Sequence, residues 1–169
     1  MSIVSSLSKY GITSVYHFTD ESNLKSIEKY GIQSLKNIAK YGINVSRFGA
    51  ENLSHILDMQ KGLDRYVHLA FVDDHPMYYV AKSRGSIIRP VWLEIDISIL
   101  NNHKTRFCDK VANQTNANIF YLDRVLKNID FANMVHGNSF EARKEARKAE
   151  ILAYDHIDIS MIKGVYYGK

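Results

Sequence analysis

The stretch SVYHFTDESNLKSIEKYGI, Ser14–Ile32, establishes the first structural unit of the chain. Residues 14–19 are rich in aromatic and β-branched side chains, which predicts a strand. A helix is predicted directly after it, with Thr19 or Asp20 as its N-terminal cap and Gly31 as its stop. A strand that leads straight into a short helix therefore opens the fold.

The rest of the chain mixes strands and short helices without a regular βαβ order. The clearest strand is RPVWLEIDISIL, residues 89–100, in which aliphatic residues alternate with Trp92, Glu94 and Asp96. Further strands are predicted at 65–71, 106–112, 149–157 and 161–168. Helices are predicted at 75–85 and 118–129, and the otherwise irregular segment 32–64 contains a helical turn or two at 52–59. This mixture indicates the α+β class and, because no linker is visible, a single domain over residues 1–169.

Composition narrows the class of protein. The chain has 169 residues, 46% of them hydrophobic, which is enough for one continuous core, and a formal net charge of +4. Its single cysteine, Cys108, excludes an intramolecular disulfide, and no apolar run reaches the ~20 residues of a membrane helix. We therefore expect a soluble, cytoplasmic protein. The 11 tyrosines and 7 phenylalanines are either core residues or stacking faces for single-stranded nucleic acid.

Common nucleotide and metal motifs are missing from the sequence. It contains no GxGxxG, no GxxxxGK[ST] and no HExxH, so we expect no metal site. His17 is either a half-buried strand residue or a binding residue. It shares one face of the first strand with Thr19, because side chains alternate along a strand, and Asn23 stands at the start of the following helix. The polar groups of these three residues can converge on a ribose or a carboxamide.

Three segments of the chain together have a distinctive pattern: YHFTDESNLKSIEKYGI at residues 16–32, HLAFVDDHPMYYVA at 68–81 and RKAEIL at 147–152. They resemble, in order, the opening motif, the strand-plus-helix segment and the segment with the catalytic glutamate of the DarT family. Members of this family are bacterial ADP-ribosyltransferase toxins that use NAD to modify nucleic acid. One departure is Asp73-Asp74-His75 before Pro76, where the family commonly has Pro-Arg-Ser. Such a change is compatible with a different target base, or with RNA in place of DNA.

The resemblance implies an α+β ADP-ribosyltransferase fold: two small packed β-sheets with flanking short helices and an NAD cleft between them. It implies that Glu150 and Arg47 are catalytic, with Arg65 as a competitor for the role of the arginine. The residues implied to bind NAD are His17, Phe18, Thr19, Asn23, Leu24 and, as a stacking wall, Tyr79. Those implied to contact nucleic acid are Met77, Arg143, Arg147 and Lys148.

The residues around Glu150 leave its role open. It is either the last charge of a solvated helix, with Arg147 as an opposite charge three residues earlier, or a carboxylate at the start of a strand. A carboxylate in a cleft can stabilise the oxocarbenium character that develops when the nicotinamide–ribose bond breaks. The basic residues 143–148 are likewise either phosphate ligands or a solvated surface.

The function implied by the resemblance is transfer of ADP-ribose from NAD, as co-substrate, to a base of single-stranded DNA or RNA. An unpaired base is favoured because its ring nitrogen or exocyclic amine is then accessible. The implied role is that of a toxin in a toxin–antitoxin or anti-phage system, with an antitoxin protein as partner. Two alternatives stay open: a protein acceptor, and a non-catalytic nucleic-acid-binding module.

Overall fold

Nine short strands and eight short α-helices form the structure, a computed structural model that describes residues 2–49 and 52–167. The strands are β1 (Ser14–Asp20), β2 (Ile32–Gln33), β3 (Tyr66–Leu69), β4 (Pro90–Asp96), β5 (Arg106–Cys108), β6 (Ile119–Phe120), β7 (Glu150–Tyr154), β8 (His156–Ile157) and β9 (Ile162–Tyr167). The helices are α1 (Ile3–Ser8), α2 (Leu24–Tyr30), α3 (Leu35–Tyr41), α4 (Asn52–Gln60), α5 (Pro76–Ser83), α6 (Val125–Asn128), α7 (Phe131–His136) and α8 (Phe140–Ala146). Single 3-10 turns lie at Glu21–Asn23, Leu63–Arg65, Ile97–Asn101, Leu122–Arg124 and Ile159–Met161.

Two antiparallel sheets carry the fold. The first has the strand order β1-β4-β9 and the second the order β3-β7-β5-β6, while β2 and β8 form a separate pair. Strand β1 is thus an edge of the first sheet and β3 an edge of the second. These edges meet at one isolated bridge between Tyr16 and Ala70, where the N···O distances are 2.9 and 2.8 Å. The arrangement confirms the expected α+β fold with two small packed sheets.

The main core lies between the two sheets. Val15 and Leu93 from the first sheet belong to the same apolar cluster as Val67 and Ile151 from the second. Each such fully buried aliphatic side chain stabilises the fold by about 1.5–3 kcal/mol. The core thereby holds the edges of β1 and β3 in a fixed relation.

A smaller aromatic cluster lies on the other face of the first sheet. Trp92 stacks on Tyr78 of α5 with the ring centroids 5.2 Å apart, and Phe18 packs against both rings. Helix α5 thereby covers this face of the sheet. The alternation predicted for β4 is therefore present, although the central part of the strand is covered on both sides: by the main core on one and by the aromatic cluster on the other.

Several local predictions were correct and others were wrong. The strand–helix unit is confirmed, with Asp20 as the cap of the first turn and Gly31 as the C-terminal stop. In the helix predicted at 118–129, Ile119–Phe120 instead form strand β6, because Phe120 pairs with Phe107 and extends the second sheet. The strand predicted at 106–112 ends at Cys108. The strand predicted at 89–100 ends at Asp96, whose side chain caps a 3-10 turn.

The segment 32–64 is more regular than the sequence analysis predicted. It contains α3, whose N-terminal cap is Ser34. The side chain of Ser34 accepts a hydrogen bond from the Asn37 backbone N–H. The helix ends at Gly42, whose φ of 61° suits a residue without a Cβ. Two turns of helix therefore occupy a segment that we expected to be irregular.

No helix within residues 2–49 and 52–167 is both long and apolar enough to cross a bilayer. In the same residues, the acidic, histidine and cysteine side chains form no group of three or more that could hold a metal ion.

Candidate active site

A cleft lies beside the Tyr16–Ala70 bridge, and residues of the edge strands β1 and β3 line it. Next to that bridge, the carbonyl of His68 accepts a hydrogen bond of 2.9 Å from Nδ1 of the His17 ring. The residues that line the cleft come from both sheets, from α2, α4 and α5 and from the loops before α4 and after β5. Those used below are His17, Phe18, Thr19, Asn23, Arg47, Asp58, His68, His75, Met77, Asn113 and Glu150.

Glu150 is the first residue of β7 and only 7% of its surface is exposed. Its Oε2 accepts hydrogen bonds from the backbone N–H of Ala112, at 2.9 Å, and from Nδ1 of His68, at 3.3 Å. Burial alone would raise the pKa of Glu150, but the bond to His68 and the charge of that ring outweigh it and lower the pKa. The carboxylate is therefore ionised at neutral pH. The solvated-helix alternative for this residue was wrong.

His68 contacts an acceptor on each side of its ring. Besides the bond to Glu150, its Nε2 lies 3.4 Å from the carbonyl oxygen of Leu63. Burial alone would lower the pKa of His68, but the hydrogen bond and charge of Glu150, together with the charge of Asp58, raise it to about 9. The ring is an imidazolium at neutral pH.

His75 lies on the other side of Glu150 and is neutral. Its Nδ1 accepts the backbone N–H of Met77 at 3.1 Å, so this side chain caps the start of α5. Its Nε2 therefore carries the hydrogen atom, and this N–H donates a hydrogen bond of 3.4 Å to the carbonyl of Lys148. Burial lowers the pKa of His75, which agrees with the neutral tautomer. The same Nε2 lies 4.0 Å from Oε1 of Glu150.

The two oxygens of Glu150 are therefore unequal. Oε2 has two donors, whereas Oε1 has no hydrogen bond from the described residues, and the Glu150 side chain is part of the cleft lining. An ionised oxygen at the wall of a cleft can stabilise positive charge that develops on a bound molecule.

Asn23 fixes the loop that carries Arg47. Its Nδ2 donates to Oγ1 of Thr19 at 3.0 Å and to the Arg47 carbonyl at 2.6 Å, and its Oδ1 accepts the backbone N–H groups of Ser46 and Arg47. The guanidinium of Arg47 donates to the carbonyl of Gly85 at 3.2 Å and lines the cleft. The amide of Asn23 is thus used inside the protein, and Arg47 is the group that reaches the cleft.

The His17 ring has one nitrogen, Nε2, that forms no hydrogen bond with the part of the chain that the structure describes. Its Nδ1 donates to the His68 carbonyl, and burial lowers the pKa of the ring. A neutral ring with the proton on Nδ1 has an acceptor lone pair on Nε2. In a cleft residue, that atom can accept a hydrogen bond from a hydroxyl or amide of a ligand.

Comparison with known families decides the family of the chain. The model of a family described as "ssDNA thymidine ADP-ribosyltransferase, DarT" matches residues 16–169. The chain belongs to the DarT family. The predicted family resemblance is thereby confirmed, and with it an enzyme family that uses NAD. No curated protein matches the sequence at a significant level.

Solved DarT structures have the same fold. Thermosipho africanus DarTG in complex with ADP-ribose superimposes with a TM-score of 0.75 at 20% identity, over 92% of this chain but only 44% of that one. Thermus sp. 2.9 DarT in complex with ADP-ribosylated ssDNA gives a TM-score of 0.72 at 20% identity, covering 94% of this chain and 83% of that one. The same Thermus protein in complex with NAD+ gives 0.67 at 19% identity, over 91% and 81% of the two chains. The DarT fold is thus present over nearly the whole chain.

The cleft brings together most of the NAD-binding residues expected for a DarT protein. His17, Phe18, Thr19 and Asn23 all line it, but two predicted residues do not. Leu24 packs against the main core. Tyr79 is 53% exposed on α5 and bonds to Asp74, which raises the pKa of the phenol to about 12. Residues two positions apart in a helix point to nearly opposite sides. Met77, and not Tyr79, is therefore the α5 residue that lines the cleft.

Only one of the two candidate arginines lies at the cleft. Arg65 ends a 3-10 turn and its side chain is exposed on the surface, outside the cleft lining, whereas Arg47 is part of that lining. Arg47 therefore remains our prediction for the functional arginine of this DarT member.

The three basic residues predicted to contact nucleic acid lie in α8 or directly after it, and each forms a contact within the protein. Arg143 donates to the carbonyl of Gly137, and Arg147 forms an ion pair with Asp74 and donates to the carbonyl of Met134. Lys148 forms an ion pair with Glu145 at 2.8 Å. These contacts stabilise the segment that leads into Glu150, and contact of these residues with nucleic acid stays a prediction.

Three cleft residues were missed in the sequence analysis: His68, His75 and Asp58. The signal for His68 was a polar residue inside the apolar run of β3, the same signal that singled out His17. His75 stands directly before Pro76, where a capping residue is expected. Asp58 lies in α4, and burial raises its pKa. Its approach to Glu150 depends on long-range packing, for which the local sequence has no signal.

Proposed function

We propose that this chain transfers ADP-ribose from NAD to thymidine in single-stranded DNA. The observation that carries the proposal is the buried, ionised Glu150 in the cleft lining, whose Oε1 has no hydrogen bond from the described residues. Membership of the DarT family supports NAD as the co-substrate and thymidine as the acceptor. RNA and protein acceptors are outcomes of the test below.

The lining of the cleft fits NAD. The neutral ring of His17 offers an acceptor, and the guanidinium of Arg47 offers donors in a geometry suited to pyrophosphate oxygens. The hydroxyl of Thr19 accepts from Asn23 and keeps its own proton for a ligand. Phe18 and Met77 add apolar contact area. These groups suit a molecule with anionic, hydroxyl and aromatic parts.

The reaction that we propose has one bond broken and one formed. The bond between the ribose C1′ and the nicotinamide nitrogen breaks, and its electron pair leaves with the nicotinamide. Positive charge then develops on the ribose, and the Glu150 carboxylate stabilises it. A lone pair of the thymine base forms the new bond to C1′, and the proton on the attacking nitrogen leaves to a base or to water. Such stabilisation by one group accounts for roughly a hundred-fold or more in rate.

The decisive experiment compares Glu150→Gln with a matched surface variant. The protein is incubated with labelled NAD and one of four acceptors: a DNA oligonucleotide with one thymidine, the same oligonucleotide without it, an RNA oligonucleotide, and a cell lysate. We expect one ADP-ribose on the thymidine-containing DNA and a loss of at least roughly a hundred-fold in rate with Glu150→Gln. The control is Glu141→Gln, an exposed carboxylate in the first turn of α8, which should behave like the original protein. Label on RNA or polypeptide without label on DNA would refute the acceptor, and equal rates for the two variants would refute the role of Glu150.

The biological role predicted from the sequence is part of the same proposal. We expect a protein that attaches ADP-ribose to DNA bases to be toxic to the cell that produces it, and the expected partner is an antitoxin protein. Expression from an inducible promoter should stop growth, and Glu150→Gln should restore it. Equal growth inhibition by the original protein and by Glu150→Gln would separate toxicity from the transfer reaction. A cytoplasmic location stays a prediction from the sequence.

A further inference from the structure

The ring of His68 lies between two hydrogen-bond acceptors. On one side, its Nδ1 is 3.3 Å from Oε2 of Glu150, and on the other its Nε2 is 3.4 Å from the carbonyl oxygen of Leu63. A neutral imidazole has one N–H, so it can satisfy only one of these acceptors. Both contacts are hydrogen bonds only when the ring is protonated. The geometry therefore requires an imidazolium next to the catalytic carboxylate.

The charged and titratable groups around His68 favour this state. Glu150 approaches from β7 and Asp58 from α4, and both carboxylates raise the pKa of the ring. His17 of β1 and His75 at the start of α5 also face the site, but both are neutral because burial lowers their pKa. Each of these two rings donates its one N–H to a backbone carbonyl. Of the three histidines at this site, His68 is therefore the one that carries the positive charge.

Asp58 has one oxygen that the structure leaves without a partner. The residue is 7% exposed, and its Oδ1 is buried without a hydrogen bond. Asn113, another residue of the cleft lining, bonds to the Asp58 carboxyl group. A buried carboxylate of this kind is costly unless a cation lies close by. His68 is the neighbouring cation, so Asp58 and Glu150 share its charge.

We propose that His68 is the positioning residue of Glu150, and that its imidazolium holds Oε2 against the Ala112 N–H so that Oε1 faces the ribose of NAD. This inference rests on the proposed function and adds a second titratable group to the same site. Two donors on one oxygen fix the rotation of the carboxylate about its last bond. Without the proton, the ring can donate to only one of the two acceptors, so it loses either the bond to Oε2 or the bond to the Leu63 carbonyl that fixes the ring. In both cases Oε2 is held less firmly, because the positive charge is gone.

The sign of the pH dependence follows from the direction of the pKa shift. The pKa of His68 is raised from 6.5 to about 9, so the imidazolium persists through neutral pH and is lost as the pH rises through about 9. The transfer activity should fall in the same range. Removing the negative charge of Asp58 should lower the pKa of His68 and move this fall to lower pH. A purely structural role of Asp58 would leave the pH of the fall unchanged.

The first test measures the protonation of His68 without using the transfer reaction. Nitrogen chemical shifts of the labelled ring are followed by NMR from pH 5 to 10 in the original protein, in Glu150→Gln and in Asp58→Asn. We expect a midpoint near 9 in the original protein, as the raised pKa requires, and lower midpoints in both variants. A midpoint near 6.5, the value of an unperturbed histidine, would overturn the proposal. Because this readout needs no acceptor, it succeeds or fails independently of the proposed function.

The second test uses the transfer rate of His68→Gln. Glutamine keeps a donor but has no charge, so we expect a rate lower by roughly ten- to a hundred-fold at pH 7, as for loss of one charge-assisted hydrogen bond. The ratio of the original rate to the variant rate should approach one at pH 10, and ionisation of the DNA cancels in this ratio. His103→Gln, at an exposed histidine outside the cleft lining, is the control and should give a ratio of one at every pH. A ratio for His68→Gln that does not change with pH would overturn the proposal.

Discussion

Asp20 holds two segments of the chain together with one carboxylate. Its Oδ1 accepts the backbone N–H of Ser22 at 3.0 Å and the Ser22 hydroxyl at 2.6 Å. Its Oδ2 accepts the backbone N–H groups of Ile88 at 2.8 Å and of Arg89 at 3.0 Å. The residue is only 4% exposed, so its carboxylate is a buried acceptor for all four donors. We therefore predict that Asp20→Asn destabilises the protein.

The magnitude follows from the pKa of the carboxyl group. Burial alone would raise the pKa of Asp20, but the hydrogen bonds from Ser22, Arg89 and Ile88 outweigh it and lower the pKa from 3.8 to about 2. This difference corresponds to roughly 2 kcal/mol of stability at pH 7. Because the pKa of the folded state is the lower one, the contribution is complete above about pH 5. It is lost as the pH falls through 3.8 toward 2, and roughly half of it is gone at pH 3.

Asparagine replaces one acceptor oxygen with an NH2 group. Whichever way its amide is turned, at least two of the four donors lose their acceptor, so we expect a loss of about 2–3 kcal/mol at pH 7. Urea unfolding measures it. The control is Asp96→Asn, because Asp96 accepts the Ser98 N–H at 2.8 Å as a cap and asparagine caps about as well. This control should change stability by less than about 1 kcal/mol.

The pH dependence provides the sharper test. The stability difference between the original protein and Asp20→Asn should shrink to about half between pH 7 and pH 3, since only the original carboxyl group becomes protonated. An equal difference at both pH values would refute the electrostatic argument. A difference at pH 7 no larger than that of Asp96→Asn would refute the claim that these hydrogen bonds join the two segments.

Two further changes test the cleft loop and the pair β2–β8. Asn23→Ala removes the hydrogen bonds to the backbone of residues 46–47, so we expect NAD affinity, measured by calorimetry, to fall at least roughly ten-fold while the protein stays folded; unchanged affinity would contradict this anchoring role. Gly31→Ala combines a φ of +72° with a clash between the new Cβ and the carbonyl of Ile157. It should cost at least twice the roughly 1 kcal/mol expected for Gly11→Ala, where φ is +76° and the space is open, and equal thermal unfolding of the two variants would argue against the clash.

Local signals were enough to predict the elements that build the walls of the cleft. Aromatic and β-branched content predicts β1, and alternation predicts β4. Asp20 predicts the start of the helical segment, which opens with a 3-10 turn, while Gly31 predicts the end of α2 and Pro76 the start of α5. These signals depend on neighbouring residues only, so they can be recognised without knowledge of the fold. Strand β6 escaped prediction because its two residues become a strand only through pairing with β5.

The environment of Glu150 could not be predicted for the same reason. His68 is 82 residues away along the chain and Ala112 is 38 residues away, and both reach Glu150 through the packing of the second sheet and its loops. A family motif can single out Glu150, but it has no information on which donors hold each oxygen. The unequal oxygens of this carboxylate are a property of the fold.

The ion pair between Arg147 and Asp74 affects how strongly the binding of single-stranded DNA depends on salt. Binding to single strands normally gains free energy when cations on the protein displace the condensed counterions of the phosphates, with about 0.7 ion released per contact. Arg147 and Lys148 are already neutralised by Asp74 and Glu145, so a phosphate that bound them would have to displace a carboxylate instead. These two residues should therefore add little to the decrease of the affinity for single-stranded DNA with increasing salt concentration. At this segment, binding would then depend more on the fit of an unstacked base in the cleft than on the charge of the DNA backbone.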